Sequence, residues 1–274
     1  MSTPQDPQPD RLALWPAHAA DLRIENRSPR TITSRREVLR RLAHDMVDLA
    51  DIGPGNVRAF IGRDDLAPNS RATYLNHLRS FYQWCVLNDL LDADPTVKVP
   101  KVNVPKGLPH PIEIGDLTRA WDSATPRTRV WLMLGAYAGL RAAEIAGLSG
   151  ENVLDGQLRI TGKGGKTRLV ELHPDLAAEL ATWPSSGPLF PGVQPNTVSA
   201  LVGRHMKALG IPRPYRLHST RHRFATDLYA VEHDILAVQQ SLGHQSVQTT
   251  QIYAQTDRPG IRRQVHALNY PKPA

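Results

Sequence analysis

A single cysteine, Cys85, stands in a chain of 274 residues. No disulfide can close within it, which excludes the disulfide-stapled class and fits a reducing compartment. Cys85 lies in the apolar run Phe81-Tyr82-Gln83-Trp84-Cys85-Val86-Leu87, where a thiol reads as a buried packing group rather than a nucleophile. Long hydrophobic runs are also missing. None approaches the ~18 residues of a membrane span, so no membrane partner is expected. The opening MSTPQDPQPD is polar and proline-rich. It lacks the charged-then-apolar order of a secretory leader, so a cytoplasmic location is expected. A Gly-x-x-x-x-Gly-Lys-Ser/Thr loop is absent, which removes the common cradle for ATP or GTP. Internal repeats and low-complexity blocks are absent as well.

What is present is basic. Net charge is +7, a footprint suited to nucleic acid or another polyanion. Residues 1–105 carry 14 Lys and Arg against 13 Asp and Glu, and residues 106–274 carry 19 against 13. The second half is therefore expected to hold most of the polyanion chemistry. The length fits two domains.

Residues 1–10 read as a disordered tail. Helical signals follow at 11–26, from Ser28-Pro29 to about Met46, from Asn56 to Ile61, and from Pro68-Asn69-Ser70 to about Leu90. Together they predict a helical domain over residues 11–92. Residues 93–112 carry Pro95, Pro100, Pro105, Pro109 and Pro111 and predict an extended linker. The second domain, residues 113–274, opens with helices at 113–124 and 126–139. Gly139 interrupts, and a helix resumes over Leu140–Leu148. Leu158–Thr161 and Thr167–Leu172 flank Gly162-Lys163-Gly164-Gly165-Lys166, which predicts a β-hairpin. Helices with breaks near 184–192 and 212–214 follow. The fold class expected is mainly α with a small antiparallel sheet.

Three segments contain polar groups that a plain helical core would not want. In Gly139-Leu140-Arg141-Ala142-Ala143-Glu144, Arg141 sits among small and apolar residues and needs an anionic partner if buried. Glu144 is within helical reach, and a surface ion pair is the ordinary reading. In His218-Ser219-Thr220-Arg221-His222, a helix would place His218, Arg221 and His222 on one face, with several donors for one anion. A solvated basic face is the alternative. A metalloprotease helix would need Glu after the first His; Ser219 stands there, and Arg221 would repel a cation, so no metal is expected. The third segment runs from Leu242-Gly243-His244 to Tyr253, and a lone Tyr matters only by association.

Taken together, these segments resemble the tyrosine recombinase, or phage integrase, family. Its pattern is Gly-Leu-Arg-x-x-Glu, a hairpin Lys, His-x-x-Arg-His, Leu-Gly-His and a downstream Tyr. Arg141, Lys163, His218, Arg221, His244 and Tyr253 match in order and spacing, and Glu144 and His222 match accompanying positions. Of the two hairpin lysines, Lys163 and Lys166, the family pattern makes the first catalytic. Thr220 departs from the Leu often found there and is expected to affect packing. Residues 11–92 resemble the family's helical core-binding domain.

The resemblance implies that Tyr253 attacks a DNA phosphodiester, giving a 3′-phosphotyrosyl link. Arg141 and Arg221 clamp the non-bridging oxygens, His218 and His244 donate hydrogen bonds or move the tyrosyl proton, and Lys163 protonates the 5′-oxygen. No cofactor is implied. The implied partners are duplex DNA at attachment or core sites, a homotetramer on two duplexes, and an accessory directionality or host DNA-bending protein, with the enzyme on the nucleoid. Arg30, Arg35, Arg36, Arg71, Lys166 and Arg223 are the expected DNA contacts. Integration or excision of a phage or other mobile element is the expected role, and Xer-like resolution of chromosome or plasmid dimers is the alternative. A type IB topoisomerase and a non-catalytic DNA-binding protein fit the motifs less well.

Overall fold

The computed structural model describes residues 12–45, 49–104, 110–162, 165–212, 215–232, 234–243, 265–268 and 270. The chain divides into two compact units, Met1–Gly107 and Leu108–Ala274.

The first unit is built from α1 (Trp15–Ile24), α2 (Pro29–Asp45), α3 (Pro54–Gly62) and α4 (Pro68–Leu87). The last three each begin at a proline, whose fixed φ suits the first helical turn and whose missing N–H costs nothing there. The Ser28 hydroxyl accepts from the Thr31 N–H at 3.2 Å and starts α2. Helix α2 buries residues 35, 38, 39, 42 and 43, a single helical face. This face meets Leu75, Leu78, Phe81, Tyr82 and Cys85 of α4 and Val57, Phe60 and Ile61 of α3 in one core. The Trp84 indole N–H donates to Asp21 at 2.6 Å and ties α4 to α1. The proline-rich stretch begins against this unit. Val99 is buried in its core, Arg79 donates to the Val99 carbonyl and Arg58 to that of Lys98.

The second unit surrounds one buried helix. In order it contains α5 (Ile114–Asp122), α6 (Pro126–Ala138), α7 (Ala142–Ala146), β1 (Val153–Leu154), β2 (Gln157–Thr161), β3 (Thr167–Glu171), α8 (Pro174–Leu180), α9 (Pro195–Ala208), α10 (Leu217–Glu232) and α11 (Ile235–Leu242). Helix α6 is buried continuously from Val130 to Ala138, as its all-round apolar sequence requires. Helices α5, α8, α9 and α10 pack around it. The strands form an antiparallel sheet in the order β1-β2-β3, so the expected hairpin gains a two-residue strand before it. Leu158 faces Val170, and Ile160 faces Arg168, across β2 and β3.

The described part of the C-terminal segment packs on its own unit. Val265, Leu268 and Tyr270 are buried in that core. His173 donates from Nε2 to the Leu268 carbonyl at 2.7 Å, and the Tyr270 hydroxyl reaches Asp227 at 2.7 Å. The 1–10 tail lies outside the described residues.

Candidate active site

Two tight turns bring the motif segments together. Gly139 ends α6 with φ +63°, a left-handed conformation that favours glycine. A Cβ there would lie 2.6 Å from the Phe224 ring and 2.9 Å from Leu242, so glycine also lets α6 approach α10 and α11. Two residues later Arg141 starts α7. The Glu144 carboxylate turns back to accept from the Arg141 backbone N–H at 2.8 Å and from its guanidinium at 3.0 Å.

Glu144 is also gripped from the sheet. Arg168 of β3 donates to both carboxylate oxygens, at 2.8 and 3.2 Å, and its Nε donates to the Ser241 carbonyl at 3.1 Å. The Glu144 side chain is 4% exposed, that of Arg168 15% and that of Arg141 39%. Burial alone would raise the Glu144 carboxyl, but the hydrogen bonds from Arg168 and the Arg141 backbone outweigh it and hold the group below the usual carboxylate value. The ion pair is therefore buried on the carboxylate side and open on the Arg141 side, where the guanidinium can meet an incoming anion.

Arg221, on α10, is 2% exposed. One terminal nitrogen donates to the Gly139 carbonyl and the other to that of Leu242 at 2.7 Å. It thereby links the loop before Arg141 to the end of α11. Burial, and then the charge of Arg141, push its proton affinity below the usual arginine range. A concentration of positive charge short of anions is suited to a phosphate. One turn of α10 carries His218, which is exposed, and His222, half-buried, with rings 4.5 Å apart and edge to face. Burial, then His110 and Arg221, hold His222 below the usual histidine value, so it is a neutral group near pH 7. Thr220 is fully buried and donates to the Leu217 carbonyl at 2.7 Å, a packing position on the inner face of α10.

The structure thus brings Arg141, Glu144 and Arg221 together, with His218 and His222 on the same helix as Arg221. Lys163, His244 and Tyr253 lie outside the described residues. Among the expected DNA contacts, Arg30, Arg36 and Lys166 are exposed. Arg35 is corrected. It is 7% exposed and donates to His18 Nε2 at 3.3 Å, because its position repeats with Val38, Leu39 and Leu42 on the buried face of α2. Arg71 is half-buried and holds the Arg63 carbonyl at 2.8 Å. Arg223 is half-buried and paired with Asp227. Two features escaped the sequence reading. One is Arg168. The other is a cavity of about 250 Å³ in the helical unit lined by Arg40, Arg41, His44 and Arg63. Among the described residues, no group of three or more His, Cys, Asp or Glu could hold a metal ion. No described helix is long and apolar enough to cross a membrane.

Comparison with known proteins agrees on one family. Residues 112–258 match the phage integrase family model. The tyrosine recombinase XerD of Xanthomonas axonopodis pv. citri is 36% identical over 241 residues, covering 77% of this chain and 79% of that protein. An integrase from mycobacterium phage Brujita is 25% identical with a TM-score of 0.54, covering 93% of this chain and 92% of that one. Lambda integrase, solved as a tetramer bound to a Holliday junction, is 17% identical with a TM-score of 0.70 over 91% of this chain and 84% of that one, a likeness of fold.

Proposed function

The chain belongs to the phage integrase family and is a tyrosine-type site-specific DNA recombinase, and from that premise we propose that Tyr253 is its nucleophile and that it integrates or excises a mobile element. The observation that carries the assignment of roles is the meeting of the open Arg141 guanidinium with buried Glu144 and buried Arg221 at the Gly139 turn. It supplies fixed cationic donors where a phosphorane would gain negative charge. Tyrosine is a weak nucleophile at neutral pH, with a free pKa near ~10. Arg141 and Arg221 bind the non-bridging oxygens, and His218 and His244 donate to the same phosphate or accept the tyrosyl proton. Lys163 protonates the departing 5′-oxygen. The Tyr253 oxygen–phosphorus bond forms as the phosphorus–5′-oxygen bond breaks, and a 5′-hydroxyl from a second duplex reverses the exchange. Neither nucleotide nor metal enters this sequence.

In this reading each unit binds duplex DNA. Arg30, Arg36 and the Arg40, Arg41, His44 and Arg63 cavity serve the helical unit, and Lys166 the hairpin. The tetrameric lambda integrase complex supports assembly as a homotetramer on two duplexes. The similarity to XerD favours a second role, resolution of chromosome or plasmid dimers. A pair of plasmids carrying the gene's flanking DNA separates the two. Recombination between two different sites supports integration, and recombination between identical sites supports resolution.

Tyr253→Phe tests the nucleophile. Incubated with a nicked suicide duplex, wild-type protein should yield a covalent adduct on a denaturing gel, while the variant should yield none and still bind the duplex. An adduct of wild-type yield from the variant would remove Tyr253 from the mechanism.

A further inference from the structure

Arg168 sits on β3 opposite Ile160, in the row of the hairpin that faces inward with Leu158 and Val170. A charged residue in such a row needs partners, since burying an unpaired guanidinium is costly. It has them in two directions. Its terminal nitrogens fork onto both oxygens of Glu144, and Glu144 in turn holds the backbone and guanidinium of Arg141. Its Nε holds the Ser241 carbonyl at the end of α11. Gly243 closes that helix with φ +62°, and a Cβ there would lie 3.1 Å from the Arg168 Cδ and Nη1. The turn that leads in sequence to His244 is thus folded directly over the Arg168 side chain.

We infer that Arg168 is a positioning residue for strand cleavage: from the sheet it fixes Glu144, and through it Arg141, while it supports the Ser241–Gly243 turn that precedes His244. The inference rests on the reading of Arg141 as a phosphate ligand. Arg168 touches no reacting atom in this scheme. It sets the direction of one donor and the start of the segment carrying another. A planar fork is required, because a lysine ammonium could meet one Glu144 oxygen but not both together with the Ser241 carbonyl. The charged groups facing Glu144 are Arg141 from its own loop, Arg168 from β3 and Arg221 from α10. Removing Arg168 takes away the strongest opposition to burial, so the carboxyl should then accept a proton at a higher pH. A protonated Glu144 accepts less well from Arg141 and releases it.

The test uses the full-length protein and a duplex selected from a random library by covalent capture on the wild type, nicked beside the scissile phosphate so that cleavage is single-turnover. Arg168→Gln should bind this duplex within about threefold of wild type and cleave it about 10–100-fold more slowly, the scale of a catalytic group displaced by roughly 1 Å. Its rate should also fall earlier than that of wild type as pH is lowered. In Glu144→Gln/Arg168→Gln that extra acid limb should vanish, and the combined rate loss should be smaller than the product of the two single losses. Arg168→Lys should lie between, and it carries the same pH measurement if Arg168→Gln melts below the assay temperature. A slow variant with the wild-type pH profile would reduce Arg168 to a structural residue and overturn the inference, as would multiplicative losses in the double variant. Arg141→Ala is run alongside. If it cleaves at the wild-type rate, the reading of Arg141 fails on its own evidence, whatever Arg168 does.

Discussion

His18 shows what a polar residue does when a helical core closes around it. It is 2% exposed and boxed by Trp15, Phe81 and Trp84, with ring centroids at 5.8, 5.4 and 4.9 Å. Its Nε2 accepts from Arg35. Burial first, and the Arg35 charge second, lower its pKa from 6.5 to about 4. The unfolded chain therefore takes up this proton near pH 6.5 and the folded chain only near 4. Stability from the neutral ring is complete above about pH 6.5 and is lost as pH falls through that window. Wild-type protein should lose about 1–2 kcal/mol from this group by pH 5. His18→Gln should be less stable at pH 7.5 but show a shallower fall in urea midpoint between pH 7.5 and 5. Parallel falls in the two proteins would show that His18 does not titrate in this way. Neither His18 nor Arg35 was legible as a buried pair. Five arginines crowd residues 30–41, and their number reads as a polar face, although the spacing of Arg35 from Val38, Leu39 and Leu42 places it on the other one. Arg141, Glu144 and Arg221 were legible because they recur in a fixed motif. The physical reason Arg221 is buried, two carbonyls from distant loops, has no signal in any local stretch of sequence.

At the scale of elements, the contact that seats the active-site helix is the one between α6 and α10. Gly135, inside the buried run of α6, faces Thr220. A Cβ on residue 135 would fall 2.0 Å from the Thr220 Oγ1 and 3.2 Å from its Cβ. Two helices meet here at a glycine, and the neighbour of Arg221 fills the gap. Gly135→Ala should therefore destabilise the protein by ~1–3 kcal/mol through overpacking, although alanine is the better helix former. Because α10 carries His218 and Arg221, cleavage should fall as well. Thr220→Ala removes the hydroxyl that collides, so the double variant should recover part of the loss in a urea titration. An additive double variant would place the strain elsewhere. Helix α6 itself was legible from its apolar run and its glycine stop, as were the hairpin and the starts of α2 and α4 at their prolines. Strand β1 was not, since two residues carry no periodicity. Arg168 was missed for a related reason. In Thr167-Arg168-Leu169-Val170-Glu171-Leu172 both alternating rows contain an apolar residue, so the pattern does not say which row is buried. The register does: Leu169 is 53% exposed and Val170 is 2% exposed.

For the whole molecule, the net charge along the chain does not say which cations are open to a polyanion. The excess lies beyond residue 105, yet two of those cations are held in internal ion pairs. Arg168 is bound to Glu144 and Arg223 to Asp227. The nearly neutral first unit, by contrast, gathers Arg40, Arg41, His44 and Arg63 around one cavity. Glu37 bonds Arg40 and Arg41 and Asp65 lies near Arg63 at 3.4 Å; two carboxylates against three guanidiniums leave the cavity net positive. A cation that neutralises a DNA phosphate releases counterions, and each such contact adds about −0.9 to the slope of log K against log salt. A buried cation adds nothing to that slope. Binding of a non-cognate duplex, measured across a salt series, therefore distinguishes the two kinds of arginine. Arg63→Gln and Arg40→Gln should each make the slope shallower by about one. Arg35→Gln should leave the slope unchanged and lower the urea midpoint instead, because it strips a partner from His18 in the core. If Arg35→Gln flattens the slope and Arg63→Gln does not, the DNA face of the helical unit is the one the sequence pattern first suggested, and the cavity has another role.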